Sequence, residues 1–357
     1  MRTSQSAQIR SALRDCEVVE IGVPARSSQQ AASRTQIVLA FAAIYLIWGS
    51  TYLGIRYAVE TIPPLLMMGV RHLTAGLFTY GWACRRTGSR PSAGQWAYAA
   101  VLGAALFLGG HGILAWAEQK IPSGLAALLC ATLPLWTILL AWILRTEHHL
   151  SLKAWAGILL GFAGVVLLIG PDGFAQHSSL NLLGAAGAVF SAFLWAVGTL
   201  YSKRIRLPDS TALSAAMQMI AGGVLLLLTG IATGEAGGLH LVSISVRSVL
   251  ALAYLIVFGS IVAFTAFTWL VTVTRPSLVS TYAYVNPVIA VFLGWALAGE
   301  KIGLRMVGAA VIIVISVILV SARKKPEPQA AHVEIRRNQN GNCNAGRSGE
   351  QSQAEAF

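Results

Sequence analysis

Charge is what this chain has least of. Asp, Glu, Lys and Arg together make up 11% of its 357 residues. A soluble domain carries roughly 25%, so an ordinary water-soluble fold is excluded. Cysteine is scarce too: the four stand at positions 16, 84, 130 and 343, far apart and without a CxxC pair, which argues against a disulfide framework or a zinc site. No GxxxxGK[ST] loop, HExxH or GxSxG is present. That removes P-loop nucleotide binding and the commonest metalloprotease and serine-hydrolase chemistries. The spacing of His and carboxylates gives no metal cluster, and no cofactor is implied. Residues 1–35 hold several Arg but no apolar core ahead of a small-residue cleavage site, so no cleavable signal is expected. The formal net charge of +12 is not a nucleic-acid footprint, because its Lys and Arg lie in short clusters between apolar runs.

Those apolar runs dominate the chain, since 55% of it is hydrophobic. A bilayer core about 30 Å thick needs about 20 apolar residues in helical form, and in hydrocarbon each helix must satisfy its own backbone. Ten such spans are expected, at 37–58, 64–84, 95–117, 122–144, 152–170, 180–201, 210–231, 246–269, 277–298 and 303–322. The polar flanks, residues 1–36 and 323–357, show no periodicity and are expected to be a disordered leader and tail.

Short loops orient such a bundle by their Lys and Arg. One set carries Arg85, Arg86, Arg90, Arg145, Lys153, Lys203, Arg204, Arg206 and Arg275, and Arg323, Lys324 and Lys325 add to it. The other carries Arg56, Lys120, Arg247, Lys301 and Arg305. Both termini are therefore expected in the cytoplasm, in a multi-pass protein of the cell membrane.

The chain also repeats itself. Pro134, Trp142 and Glu147 recur as Pro287, Trp295 and Glu300 at one offset, so that LPLWTILLAWILRTE parallels NPVIAVFLGWALAGE. A small-residue apolar helix follows each block, and Trp48 in IYLIWGSTYLG aligns with Trp195 in FLWAVGTLYSK. Five spans per copy is an odd number, so the second copy (180–322) is expected upside down relative to the first (37–170). The fold class is all-α, with ten transmembrane helices in two inverted five-helix repeats. In carriers built this way the site lies near the midplane between repeats.

The paired P-x7-W-x4-E blocks, the WGSTYLGIRYAVE opening, the Arg in the second span and the stretch HGILAWAEQKIPSGLAA resemble EamA-type permeases of the drug/metabolite transporter superfamily, in a YedA-like branch. The resemblance covers about residues 37–322. It implies a ten-helix exporter or facilitator of small metabolites, commonly amino acids or related compounds, and names no substrate.

Ionisable groups at membrane depth mark a transport path. Arg71 lies about 10 Å into the second span at 1.5 Å per residue, too deep to snorkel with ease. Either it meets an anionic substrate group or gating carboxylate, or it tethers a helix end. The resemblance implies an Arg here in the first half, whereas Met217 and Gln218 stand at the matching place in the second. His111 and Glu118 are two turns apart on one face, at a depth similar to that of His72 and Arg71. With His72 they form a candidate proton relay or gate, with Arg71 the expected partner of Glu118; the plain alternative is a satisfied buried His and a loop-edge carboxylate.

Pro134 and Pro287 fall near mid-span and free the carbonyls of Cys130 and Ala283, so they are expected as hinges or kinks. Asn286, beside Pro287, and Gln218 are costly polar groups at depth and are expected to face a partner or the cavity, with Tyr282 close to Asn286. Trp48 and Trp195 are deep and equivalent, candidates to stack on substrate, whereas Trp96 and Trp155 suit the interface. Glu147 and Glu300 read as cap residues fixing tight turns. Gly157, Gly161, Gly164 and Gly308 allow close helix approach, within the bundle or at a homodimer face.

The leading function is therefore a secondary transporter of a small polar metabolite or drug-like compound, working by alternating access. A flippase for lipid or lipid-linked substrates is the alternative on the same fold. An intramembrane enzyme, with only His111 and Glu118 as an acid/base pair, ranks last. Expected partners are a small-molecule substrate and the bilayer, not nucleic acid.

Overall fold

The computed structural model describes residues 33–88, 90–145, 150–169, 181–202, 204–274, 279, 281–321, 333–337 and 343–347. Each expected span falls on helix. These are α1 (Arg34–Ala58), α2 (Pro64–Thr87), α3 (Ala93–Glu118), α4 (Ser123–Ile143), α5 (Leu152–Ile169), α6 (Leu182–Ser202), α7 (Thr211–Ala232), α8 (Val246–Val273), α9 (Tyr282–Ala298) and α10 (Leu304–Ser321). Among the described residues seven helices are long and apolar enough to cross a membrane. Of the others, α2 has Arg71 and His72 in its middle, and the apolar parts of α9 and α10, Val285–Ala298 and Leu304–Val320, are shorter. The expected Glu147 turn and the loop cations Lys203 and Arg275 lie outside the described residues.

Local chemistry sets the helix ends. Ser33 and Ser92 each close a capping box, with Gln36 and Gln95, which satisfies first-turn donors that would otherwise be orphaned. Ser33 caps a helix starting at Arg34, inside the segment 1–36 expected as leader. Arg85 and Arg86 occupy the last turn of α2, where cations suit the helix dipole.

Three helices are irregular. Both α3 and α8 pass through a π-helical stretch, Ala104–Gly112 in one and Leu255–Val262 in the other. A π turn inserts a residue and re-aims the side chains beyond it, and such turns concentrate at functional sites. The third, α4, is two pieces, Ser123–Cys130 and Leu133–Ile143. Its break at Ala131–Thr132 precedes Pro134, so the proline opens a new piece instead of kinking a continuous one. Pro287, by contrast, lies inside an unbroken α9.

The principal pairings are α2 with α7 and α8, α3 with α7, α5 with α10, α4 with α9, α1 with α8 and α9, and α6 with α3 and α4. Advancing every helix number by five, and counting on from α10 to α1, returns the same set. The glycines of α5 are used inside the chain: Gly157, Gly161 and Gly164 lie against Val320, Ser316 and Ile313 of α10. At Gly308 nothing lies within 4 Å of where a Cβ would sit.

One end of the bundle is densely stitched. The Glu235 carboxylate accepts from Leu65 N–H (3.0 Å) and Leu66 N–H (3.0 Å) at the start of α2. Ser248 Oγ donates to the Tyr57 carbonyl at 2.7 Å, and Tyr57 Oη to that of Leu297 at 2.9 Å. Arg247 pairs with Glu60 at 3.7 Å and lies 3.5 Å from the Tyr57 ring centroid.

Apart from the bundle, the polar tail carries a two-stranded antiparallel hairpin, β1 (Val333–Arg337) with β2 (Cys343–Arg347). The sequence reading expected no structure there. Val333 and Ile335 alternate with charged residues, a pattern that suits a strand but is too short to stand out in a helical chain.

Candidate functional site

The two π-helical stretches each carry a cluster of the expected residues. Against the one in α3 lie His72, His111 and Trp195. His111 Nδ1 and His72 Nε2 are 2.8 Å apart, with their rings nearly parallel at 7° and 4.8 Å between centroids. Trp195 lies 4.6 Å from the His111 ring, and Phe107 4.4 Å from the His72 ring. Gly110 makes room for this arrangement, since a Cβ there would come within 2.7 Å of the Trp195 ring.

Against the stretch in α8 lies Trp48, whose Nε1 donates to the Gly259 carbonyl at 3.1 Å. Phe267 and Tyr282 complete an aromatic group around it, with centroids at 5.2 and 5.1 Å. The equivalent tryptophans, Trp48 and Trp195, thus stand against equivalent irregular segments of opposite halves.

Arg71 joins the two clusters. It immediately precedes His72 on α2, is 4% exposed, and its Nε donates to Ser260 Oγ at 3.0 Å in the α8 stretch. Nη1 is directed at Met68 Sδ, 3.8 Å away. Among the described residues no carboxylate pairs with it. Burying a guanidinium without an anion is costly, so this geometry leaves room for a ligand's negative group.

Glu118 departs from expectation. It is fully buried, yet neither carboxylate oxygen has a hydrogen-bond partner among the described residues. Arg71 reaches Ser260 instead, and His111 is engaged with His72, so the expected Glu118–Arg71 and Glu118–His111 pairs are not formed. Glu118 is held by its backbone, whose carbonyl accepts from Arg56 Nη1. His72 Nδ1 and Asn286 Oδ1 are also buried without partners among the described residues. The backbone carbonyl of Asn286 lies 3.3 Å from where a Cβ on Gly49 would sit, one residue from Trp48. Gln218 is not brought to either cluster: its Nε2 folds back on α7 to the Ser214 carbonyl at 3.1 Å and to Ser214 Oγ at 3.0 Å.

Sequence reasoning missed Ser260, the two π-helical stretches and the reach of Glu300. The glycine-rich GGHG at 109–112 and FGS at 258–260 were the available signals for the first two. Among the described residues no group of three or more His, Cys, Asp or Glu could hold a metal ion.

Comparison with known proteins gives one consistent picture. The EamA-like transporter family matches residues 35–170 and again residues 182–322. The uncharacterized inner membrane transporter YedA of Escherichia coli (strain K12) is 38% identical over 284 residues, which cover 79% of this chain and 89% of that protein. The uncharacterized transporter YvbV of Bacillus subtilis (strain 168) is 28% identical over 303 residues, or 84% of this chain and 95% of that protein. A solved crystal structure is similar at a TM-score of 0.56 and 23% identity, over 81% of this chain and 98% of that chain. At that identity the likeness bears on the fold alone.

Proposed function

From the premise that the chain belongs to the EamA-like transporter family, we propose that it exports a small metabolite carrying an anionic group, by alternating access to a chamber between its halves. That it is a multi-pass membrane transporter follows from the family, from relatives named as transporters and from its long apolar helices. Nothing among these points to an enzyme.

The observation that carries the finer reading is Arg71: buried at membrane depth, bonded to Ser260 and Met68, and with no carboxylate among the described residues in a salt bridge to it. An amino acid or related acid would supply the missing anion, stacked between the surfaces of Trp48 and Trp195. The inverted arrangement is supported by the family matching twice, by helix pairings that map onto themselves under a five-helix shift and by π-helical stretches in α3 and α8. With both termini cytoplasmic, the stitched end is the outer one, in the cell membrane.

The test is flux in proteoliposomes across a panel of amino acids and other small acids, with lipid scrambling measured in parallel. Saturable solute flux lost in Arg71→Ala supports the reading. Lipid movement without solute flux would move the protein to the flippase class, and a chemical product without flux to the enzymes.

A further inference from the structure

At the stitched end, one contact joins the halves through a half-buried carboxylate clamp. Glu300 follows α9. Gly299, at φ 65°, ends that helix in the left-handed region, and the Glu300 N–H returns to the Gly294 carbonyl at 3.0 Å. This turn aims the carboxylate away from its own helix, at the start of α4. There Oε1 accepts from Ser123 N–H at 2.7 Å and from Ser123 Oγ at 2.7 Å, and Oε2 accepts from Gly124 N–H at 3.0 Å. An anion at a helix N-terminus also meets the positive end of the helix dipole. Ser123 is fully buried and Glu300 half-buried, which limits competition from water for these bonds. Gly294 leaves the space the carboxylate fills: a Cβ there would lie 2.8 Å from its carbon, Cδ.

The clamped piece is short. Ser123–Cys130 is separated from the rest of α4 by the break at Ala131–Thr132, where Thr132 Oγ1 turns back to the Leu129 carbonyl at 2.7 Å. The half-helix thus has a joint at one end and a charged clamp at the other.

We infer that Glu300 is the latch holding the Ser123–Cys130 half-helix against α9, and that opening of this end requires its release. The inference builds on the transporter reading but is tested without any substrate. Cys130, the last residue of the half-helix, is a free thiol with Sγ 3.7 Å from Ser191 Oγ and 3.8 Å from the Ala188 carbonyl.

In a Cys16→Ser, Cys84→Ser, Cys343→Ser background, a membrane-impermeant maleimide is applied to vesicles of each orientation. Glu300→Ala is expected to raise the Cys130 labelling rate about tenfold from the face carrying Glu235, and to leave or lower it from the other face. Glu300→Gln keeps the shape, loses the charge and gives a smaller rise; it stands in if the alanine variant does not fold. Unchanged labelling from both faces in folded variants, with full labelling after denaturation, would overturn the latch. Flux in the parent together with unchanged labelling rejects the latch alone. A labelling rise in a protein that shows no flux rejects the transporter reading alone.

Discussion

His72 and His111 share a hydrogen bond of 2.8 Å between stacked rings. Such a contact needs one nitrogen to donate and the other to accept, so two fully protonated rings would set two donors against each other. His111→Ala is expected to slow flux several-fold, because it leaves His72 Nε2 without its partner. Unchanged flux in His111→Ala would reject a role for the pair in transport.

Arg71 carries the anion-binding reading. Arg71→Ala is expected to abolish saturable flux while thermal unfolding in detergent changes little. Arg71→Lys retains part of it, because an ammonium supplies charge without the planar fork of donors. Normal flux in Arg71→Ala removes the residue from the site.

Trp48 and Trp195 are expected to act on apparent affinity. Replacing either by Ala should raise the half-saturating substrate concentration about tenfold, the worth of a well-placed aromatic contact. A change confined to maximal rate would assign them to the motion instead of to binding.

Orientation is checked with reporter fusions at Arg86 and Glu235, which are expected on opposite faces of the membrane. Reporters active on the same face would contradict the inverted arrangement.

The α5–α10 contact predicts a stability effect without direct loss of binding. A Cβ on Gly157 would lie 2.6 Å from Val320 Cγ2 and 3.0 Å from the Ser316 carbonyl. Gly157→Val is expected to cost about 1–3 kcal/mol by overpacking, read as earlier thermal unfolding in detergent.

The helical spans were legible in the sequence because a bilayer demands apolar runs of a set length, and Arg71 was legible because a guanidinium at that depth needs a reason. What escaped notice depends on a single turn of backbone. The π-helical stretches in α3 and α8 leave hydropathy unchanged, since one inserted residue shifts direction and not composition. Gln218 was expected to face a cavity or a partner, but an amide four residues from Ser214 can satisfy itself on its own helix. Glu300 was read as a cap for its own turn. Its bonds to Ser123 and Gly124, across 176 and 177 positions of sequence, show that it serves α4. Glu118 has the depth its position suggests, and its partners depend on three-dimensional choices made by Arg71 and His111.

Among the described residues, α4 breaks at Ala131–Thr132, whereas the matching positions of the second half lie inside the continuous helix Tyr282–Ala298. Halves that differ at matching positions do not pass through mirror-image motions at the two mouths. Loading from one face and loading from the other would then proceed at different speeds and half-saturate at different concentrations. The final distribution of cargo would still be set by the gradients alone, so the inequality would appear only in initial rates measured in opposite directions.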